Sequence, residues 1–351
     1  MGARSSLGLG LIALAVLAGS IGAETPPLPR AEIPIREVIQ SNGRRYTVPI
    51  KVGDTTIEAG LDTGSTGLRI LPKTLGAADA AASKRGDHYG YGSGADLRGV
   101  IGHGVLRMGE VAGDTTFQLV ATVGCRAEKP NCPAIRVPLE QFGIQGDGHA
   151  GEGFRAIMGV NMAEADVASP LRAIGAKRWI VELPRPGETA PGRLILNPTD
   201  AEAAGYAMIP VLRTFADRGG GLHDAVSACL VNGQNKAKTC GALLMDTGAR
   251  GLRVVNGDVS GPPWPDGSAA TLAFYDGSGR PKAVEQITIG LARQASHLDF
   301  EKDPRRPASF IYAGLTPYFA FSVLYDPAKG EVGLKVRPPA PGGPLGLLAG
   351  S

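Results

Sequence analysis

Two carboxylates in matching surroundings are the residues of this chain best placed to do chemistry. Residues 61 to 71 read LDTGSTGLRIL, and residues 245 to 255 read MDTGARGLRVV. In each stretch an apolar residue leads into Asp-Thr-Gly, and Gly-Leu-Arg with an aliphatic pair follows. A single Asp-Thr-Gly after an apolar run is usually a turn whose aspartate caps backbone amides. Two copies with the same flanks read instead as an internal duplication that keeps Asp62 and Asp246 at its heart. Carboxylates brought within about 3 Å of each other cannot both ionise, so they share a proton. The ionised member can then act as general base on a water, and the protonated member as acid toward a carbonyl oxygen. That is amide hydrolysis without a covalent intermediate. The pair titrates as a unit, and the sequence assigns the proton to neither residue.

The flanking patterns say what must hold these acids. Tyr46, Val48, Ile50 and Val52 alternate with other residues, Gly53-Asp54 makes a turn, and Ile57, Ala59 and Leu61 resume the period of two. This predicts a β-hairpin that delivers Asp62 at a strand end. Leu243, Leu244 and Met245 feed Asp246 in the same way. Within residues 88 to 111, a glycine-rich tip of Tyr91, Gly92, Ser93 and Gly94 separates two strand-like runs. It reads either as a hairpin able to close over a cleft or as an ordinary turn. Residues 153 to 160, GFRAIMGV, predict a buried strand, and Ser169 caps a short helix. WIVEL and RLIL form another hairpin, and the crossing between halves falls at residues 197 to 211. Residues 310 to 336 give two strands joined at 326 to 330.

Composition agrees with short strands and many turns. Of 351 residues, 51 are Gly and 27 Pro, and only 5% are aromatic. A formal charge of +3, or +2 without residues 1 to 23, demands neither nucleic acid nor an anionic membrane as partner. Residues 1 to 23 have the basic start, apolar run and small-residue exit of a secretory signal. The run is shorter than the ~20 apolar residues of a membrane span. An exported protein, periplasmic or secreted, with no span after signal removal is therefore expected. Its four cysteines fall into two local pairs, Cys125 with Cys132 and Cys229 with Cys240, each placed to staple a hairpin loop in an oxidising compartment. Zinc is the rival reading, but the spacings do not suit it and no HExxH pair is present. Neither metal nor other cofactor is expected. Residues 338 to 351 have the composition of a disordered tail.

Taken together these features resemble the pepsin-like, bilobal aspartic proteases, with this chain a divergent member of bacterial type. The paired motifs are Asp62-Thr63-Gly64-Ser65 and Asp246-Thr247-Gly248-Ala249. The family's flap pattern looks like Tyr91-Gly92-Ser93-Gly94 followed by Gly99-Val100-Ile101-Gly102. Its apolar-apolar-Gly partners look like Ile157-Met158-Gly159 and Tyr312-Ala313-Gly314. The resemblance implies a mostly β, two-lobed fold with pseudo-twofold related lobes and a central cleft. The lobes would be residues 24 to 198 and 199 to 337. It implies an aspartic endopeptidase, monomeric, acting on a peptide or protein. Asp62 and Asp246 would be catalytic. Thr63 and Thr247 would each reach across to the opposite loop, and Gly64 and Gly248 would allow close approach of backbone N–H groups. Ser65 would hydrogen-bond Asp62, and Tyr91 would help exclude water.

Three departures from the family pattern carry expectations of their own. Ala249 stands where pepsins usually carry Thr or Ser; losing that hydroxyl raises the pKa of Asp246, while Arg250 could oppose the change. An optimum less acidic than a stomach enzyme's follows. Arg69 replaces the Trp behind the flap tyrosine, with Arg253 in the matching place of the second repeat. Arg69 either hydrogen-bonds the Tyr91 hydroxyl or is a solvated charge. The stretch from Glu24 to Asp62 leaves little room for a basic prosegment. Alternatives to a broad endopeptidase are an enzyme with one narrow substrate and a catalytically silent module binding peptide or glycan.

Overall fold

The structure, a computed structural model, describes Gly2 and residues 29–41, 43–163, 165–212, 224–257, 264–304 and 308–338. The expected signal segment (1–23) and tail (338–351) lie outside the described residues except at Gly2 and Pro338. The fold is mostly β, with two sheets. The first half runs through β1 (Ala31–Gln40), β2 (Gly43–Val52), β3 (Thr55–Asp62), β4 (Thr66–Ile70), β5 (Ala81–Gly90) and β6 (Ala95–Met108). It continues with β7 (Val111–Cys125), β8 (Ala156–Val160), the short helix α1 (Pro170–Ala173), β9 (Trp179–Glu182) and β10 (Gly192–Leu196). Helix α2 (Asp200–Ala203) and β11 (Ala207–Pro210) make the crossing. Then follow β12 (Val226–Asn232), β13 (Lys238–Met245), β14 (Leu252–Asn256), β15 (Ala269–Tyr275), β16 (Pro281–Thr288), β17 (Leu298–Lys302) and β18 (Phe310–Gly314). Helix α3 (Thr316–Ala320), β19 (Phe321–Asp326) and β20 (Glu331–Val336) end the described chain.

The larger sheet has 13 strands in the order β11-β20-β19-β9-β10-β1-β2-β3-β8-β4-β7-β6-β5, and the smaller has seven, β16-β15-β12-β13-β18-β14-β17. β1 makes the larger sheet continuous, because Ala31–Ile35 pair with β10 while Arg36–Gln40 pair with β2. Strands β11, β19 and β20, from beyond residue 199, complete that sheet. The two halves therefore share backbone hydrogen bonds as well as a core.

Period-two patterning explains the outer strands, and continuous apolarity the central ones. In β1, Ile33 and Ile35 are buried while Glu32 and Arg36 are exposed. In β4 and β8 every residue is buried, as happens when both faces of a strand are covered. One cluster of buried side chains runs from Val48 and Leu61 through Trp179 to Leu243, Ile311 and Tyr325, so the core spans both halves. Each Leu or Ile fully buried there contributes roughly 1.5–3 kcal/mol.

The hairpin of β2 and β3 turns at residues 53 and 54, and the hairpin of β9 and β10 forms as the sequence predicts. Ser169 occupies the N-cap of α1, but its hydroxyl makes no capping bond; Pro170 fixes the first turn instead. The C-terminal stretch differs from expectation. It holds three strands, because Thr316–Ala320 forms a helical turn between β18 and β19. Five residues flanked by apolar strands are too few to show a helical period.

Candidate functional site

The two Asp-Thr-Gly loops are built by the same weave of strands, twice. β3 runs parallel to β8, with Asp62 opposite Gly159, and β4 returns antiparallel on the other side of β8. β13 runs parallel to β18, with Met245 opposite Gly314, and β14 returns antiparallel to β18. β4 then pairs in parallel with β7, and β14 with β17. The two partner glycines are sterically required. A Cβ on Gly159 would lie 2.7 Å from the Ser65 carbonyl oxygen, and one on Gly314 2.4 Å from that of Gly251. Ile157-Met158-Gly159 and Tyr312-Ala313-Gly314 thus occupy equivalent places.

The loops meet tip to tip through their threonines. The Thr63 N–H donates to Thr247 Oγ1 at 3.0 Å, and the Thr247 N–H donates to Thr63 Oγ1 at 2.9 Å. Each hydroxyl then donates onward across the seam, Thr63 to the Met245 carbonyl (3.0 Å) and Thr247 to the Leu61 carbonyl (2.7 Å). Both threonines are fully buried. This reciprocal lattice sets Gly64 against Asp246 and Gly248 against Asp62. A Cβ on Gly64 would come within 2.3 Å of the Asp246 carboxyl carbon, and one on Gly248 within 2.9 Å of that of Asp62. No side chain larger than hydrogen fits either place without parting the acids. The two carboxyl groups are within hydrogen-bonding reach of each other.

Their surroundings are unequal. Asp62 is buried and accepts the Gly64 N–H at 2.9 Å, the Ser65 hydroxyl at 2.8 Å and the Gln145 side-chain amide at 3.2 Å. Asp246, partly accessible, accepts the Gly248 N–H at 2.8 Å, and the place of Ser65 is taken by Ala249, which has no hydroxyl. Burial raises the pKa of both, and the charge of Asp62 adds to the rise at Asp246, which is pushed up to about 7. The donors around Asp62 favour its charged form. Three donors converge on Asp62 and one on Asp246, which favours the charge of the shared pair on Asp62 and its proton on Asp246.

No family model and no curated protein matches this chain. Geometry and chemistry alone carry the functional reading.

Tyr91, Gly92, Ser93 and Gly94 form the tip of the β5–β6 hairpin, closed by the Tyr91 N–H to the Ala95 carbonyl (2.8 Å) and the Gly94 N–H to the Tyr91 carbonyl (3.0 Å). Gly94, at φ +98°, turns the chain. The Tyr91 ring is buried against Tyr89, while Gly92 and Ser93 are exposed. Arg69 does neither of the two things expected of it. Its guanidinium is buried, lies 3.4 Å over the Tyr89 ring, and donates to the carbonyls of Thr66 (2.6 Å) and Gly67 (3.2 Å). The Tyr91 hydroxyl has no hydrogen-bond partner among the described residues. Arg250 reaches Asp147 at 3.3 Å, and Arg253 and Arg45 are cations whose charge acts on Asp246.

Both cysteine pairs are disulfides. Cys229–Cys240 joins directly opposite residues of the β12–β13 hairpin that leads to Asp246. Cys125–Cys132 closes a loop beyond the end of β7 rather than a hairpin, and that loop supports the β5–β6 tip. Lys129 donates to the Gly92 carbonyl (2.9 Å), and the Arg126 N–H to the Gly94 carbonyl (2.8 Å). Among the described residues, no cluster of His, Cys, Asp and Glu could hold a metal ion, and no helix is long and apolar enough to cross a membrane.

Several residues of the site are invisible to motif reading. Tyr318 donates to Thr63 Oγ1 at 2.8 Å and bonds Tyr325 beneath the loops. Arg45 is buried beside the acids and donates to the Gln145 carbonyl. Gln145 had one faint signal: it lies in residues 143–153, where five glycines crowd as they do near Tyr91.

Proposed function

We propose that the chain is an exported, two-lobed aspartic endopeptidase of pepsin-like architecture that hydrolyses peptide bonds through a water held between Asp62 and Asp246. The observation that carries this reading is the meeting of two Asp-Thr-Gly loops through reciprocal threonine bonds, with their carboxyl groups in mutual reach. Asp62, ionised, takes a proton from the water as its oxygen bonds to the scissile carbonyl carbon. Asp246 gives its proton to the carbonyl oxygen, and a tetrahedral diol forms. Collapse of the diol breaks the C–N bond, the proton on Asp62 passes to the leaving nitrogen, and a diol hydroxyl returns its proton to Asp246. The β5–β6 tip, with Tyr91, would shield this reaction from bulk water. Two disulfides, and no described helix able to span a membrane, fit export.

The test is cleavage of a peptide library by the chain lacking residues 1 to 23. Cutting is expected to be blocked by pepstatin and abolished by Asp62→Asn or Asp246→Asn alone. It should peak above about pH 3 and fall as Asp246 loses its proton near pH 7. A folded protein that cuts no member of the library, yet binds peptides, would replace this reading with that of a silent binding module.

A further inference from the structure

The side chain of Gln145 reaches Asp62 from outside both duplicated motifs. Its Nε2 donates to Asp62 Oδ2 at 3.2 Å, the same oxygen that accepts the Ser65 hydroxyl. The amide also presses on the opposite loop, since a Cβ on Gly248 would lie 2.7 Å from Nε2. Nothing in the duplication accounts for it, and a lone polar side chain aimed between two acids needs a reason.

The segment that carries it is constructed to hold that pose. Gln145 sits at φ +68°, a left-handed conformation that a glutamine adopts only when its surroundings enforce it. Arg45, from β2, grips its carbonyl with Nε (3.2 Å) and Nη2 (3.1 Å). Ile144 and Phe154 pair through two backbone bonds, 3.0 and 2.9 Å, and close the base of the loop. Asp147 binds Arg250 of the second motif at 3.3 Å, and Glu152 accepts the Ser41 N–H at 3.2 Å. The loop is thereby tied to both halves. Its placement is fixed on three sides, and the one group it directs at the carboxylate is a neutral N–H donor.

We infer that Gln145 is a positioning residue that holds Asp62 in its ionised form and aims its outer oxygen, making the general base of the pair. Its part in turnover rests on the proteolytic reading; its hold on the Asp62 carboxylate does not. A donor to a carboxylate stabilises the charged form, and here it reinforces Ser65 on one oxygen while the Gly64 N–H serves the other. The other charged or titratable groups facing the pair are Arg69 from β4, Arg45 from β2, Tyr89 from β5, Tyr91 at the hairpin tip, Arg253 from β14 and Tyr318 from α3. Arg45 bonds the Gln145 main chain, so replacing the side chain leaves that contact in place.

The experiment is a titration of the two carboxyl groups by NMR on protein carrying carboxyl-13C aspartate, with signals assigned from Asp62→Asn and Asp246→Asn. Gln145→Met keeps the length of the side chain and removes the donor. It should raise the lower apparent pKa of the pair by about one unit, a tenfold change in proton affinity. Ser65→Ala, which removes the neighbouring donor, should move the same titration in the same direction. Gln145→Asn, a methylene shorter, keeps an amide but withdraws it from reach and should behave like Gln145→Met; it serves if the methionine disturbs folding. In the pH dependence of kcat/KM the acid limb should rise by the same amount, with KM changed by less than about twofold. A lower pKa that stays within about 0.2 unit of wild type in both Gln145 variants, while Ser65→Ala shifts it, would overturn the inference. Absence of peptide cleavage by the wild type would overturn the proteolytic reading instead, and the carboxyl titration would still report on Gln145.

Discussion

Asp62 and Asp246 sit in matching loops, yet a hydroxyl and an amide separate their environments: Gln145 reaches only Asp62, and so does Ser65. Ser65 donates to Asp62 at 2.8 Å, and Ala249 offers Asp246 nothing equivalent. Installing the missing hydroxyl should narrow the difference. Ala249→Ser is expected to favour the charged form of Asp246 and move the alkaline limb of kcat/KM downward by about one pH unit. An unmoved limb would show that Asp246 does not govern it. The raised pKa also bears on stability. A folded-state value of about 7, against the usual 3.8, means that the folded protein binds a proton which the unfolded chain has released between those values. Stability from this source is full below about pH 4 and is lost as pH rises through 7. Asp246→Asn lacks this dependence. Relative to wild type it should therefore gain on the order of 1–4 kcal/mol between pH 4 and pH 8, measured by urea denaturation at both values. Parallel pH profiles for the two proteins would contradict the assigned environment.

Strands deliver the acids, and the loops beside them decide how well they are covered. The Cys125–Cys132 loop is the floor of the β5–β6 tip: a Cβ on Gly94 would meet the Cβ atoms of both Lys129 and Cys132. Lys129 reaches onward to Glu301 of β17 at 3.5 Å, and Glu301 also pairs with Arg253 at 3.3 Å. Replacing Cys125 and Cys132 together with serine should thus free the tip, lowering kcat/KM at least about tenfold for about 2–3 kcal/mol of stability lost. The matching replacement of Cys229 and Cys240 should cost similar stability with little change in kinetics, because that bridge lies across β12 and β13, away from the tip. Equal kinetic losses from the two pairs would refute a covering role for the tip. What the sequence made legible follows the same division. Alternation exposed the β2–β3 and β9–β10 hairpins, and repetition exposed both aspartates, because those signals are local. Arg69 was not legible, since its burial depends on Tyr89 from β5 lying over it. Nor was Gln145, whose partner is 83 residues away and whose own neighbourhood shows only glycines.

At the scale of the whole molecule, the halves are joined by a shared sheet at the base and by the threonine lattice at the site. The lattice is the more cooperative connection. Each threonine hydroxyl accepts the other's N–H and donates across the seam, so removing one strands buried groups on both sides. Thr247→Val would leave the Thr63 N–H and the Leu61 carbonyl without their partner. An unsatisfied buried polar group costs about 1–3 kcal/mol, so a loss of roughly 2–4 kcal/mol is expected. Thr63→Val would do the same to the Thr247 N–H and the Met245 carbonyl, and would also unseat Tyr318. Because both changes dismantle one network, the double variant should lose at least about 1 kcal/mol less than the sum of the singles. A double-mutant cycle by urea denaturation measures this directly. Strict additivity would mean that the two loops are held by the shared sheet and core alone. The acids would then owe their meeting to the fold at large, and either threonine could be lost without parting them.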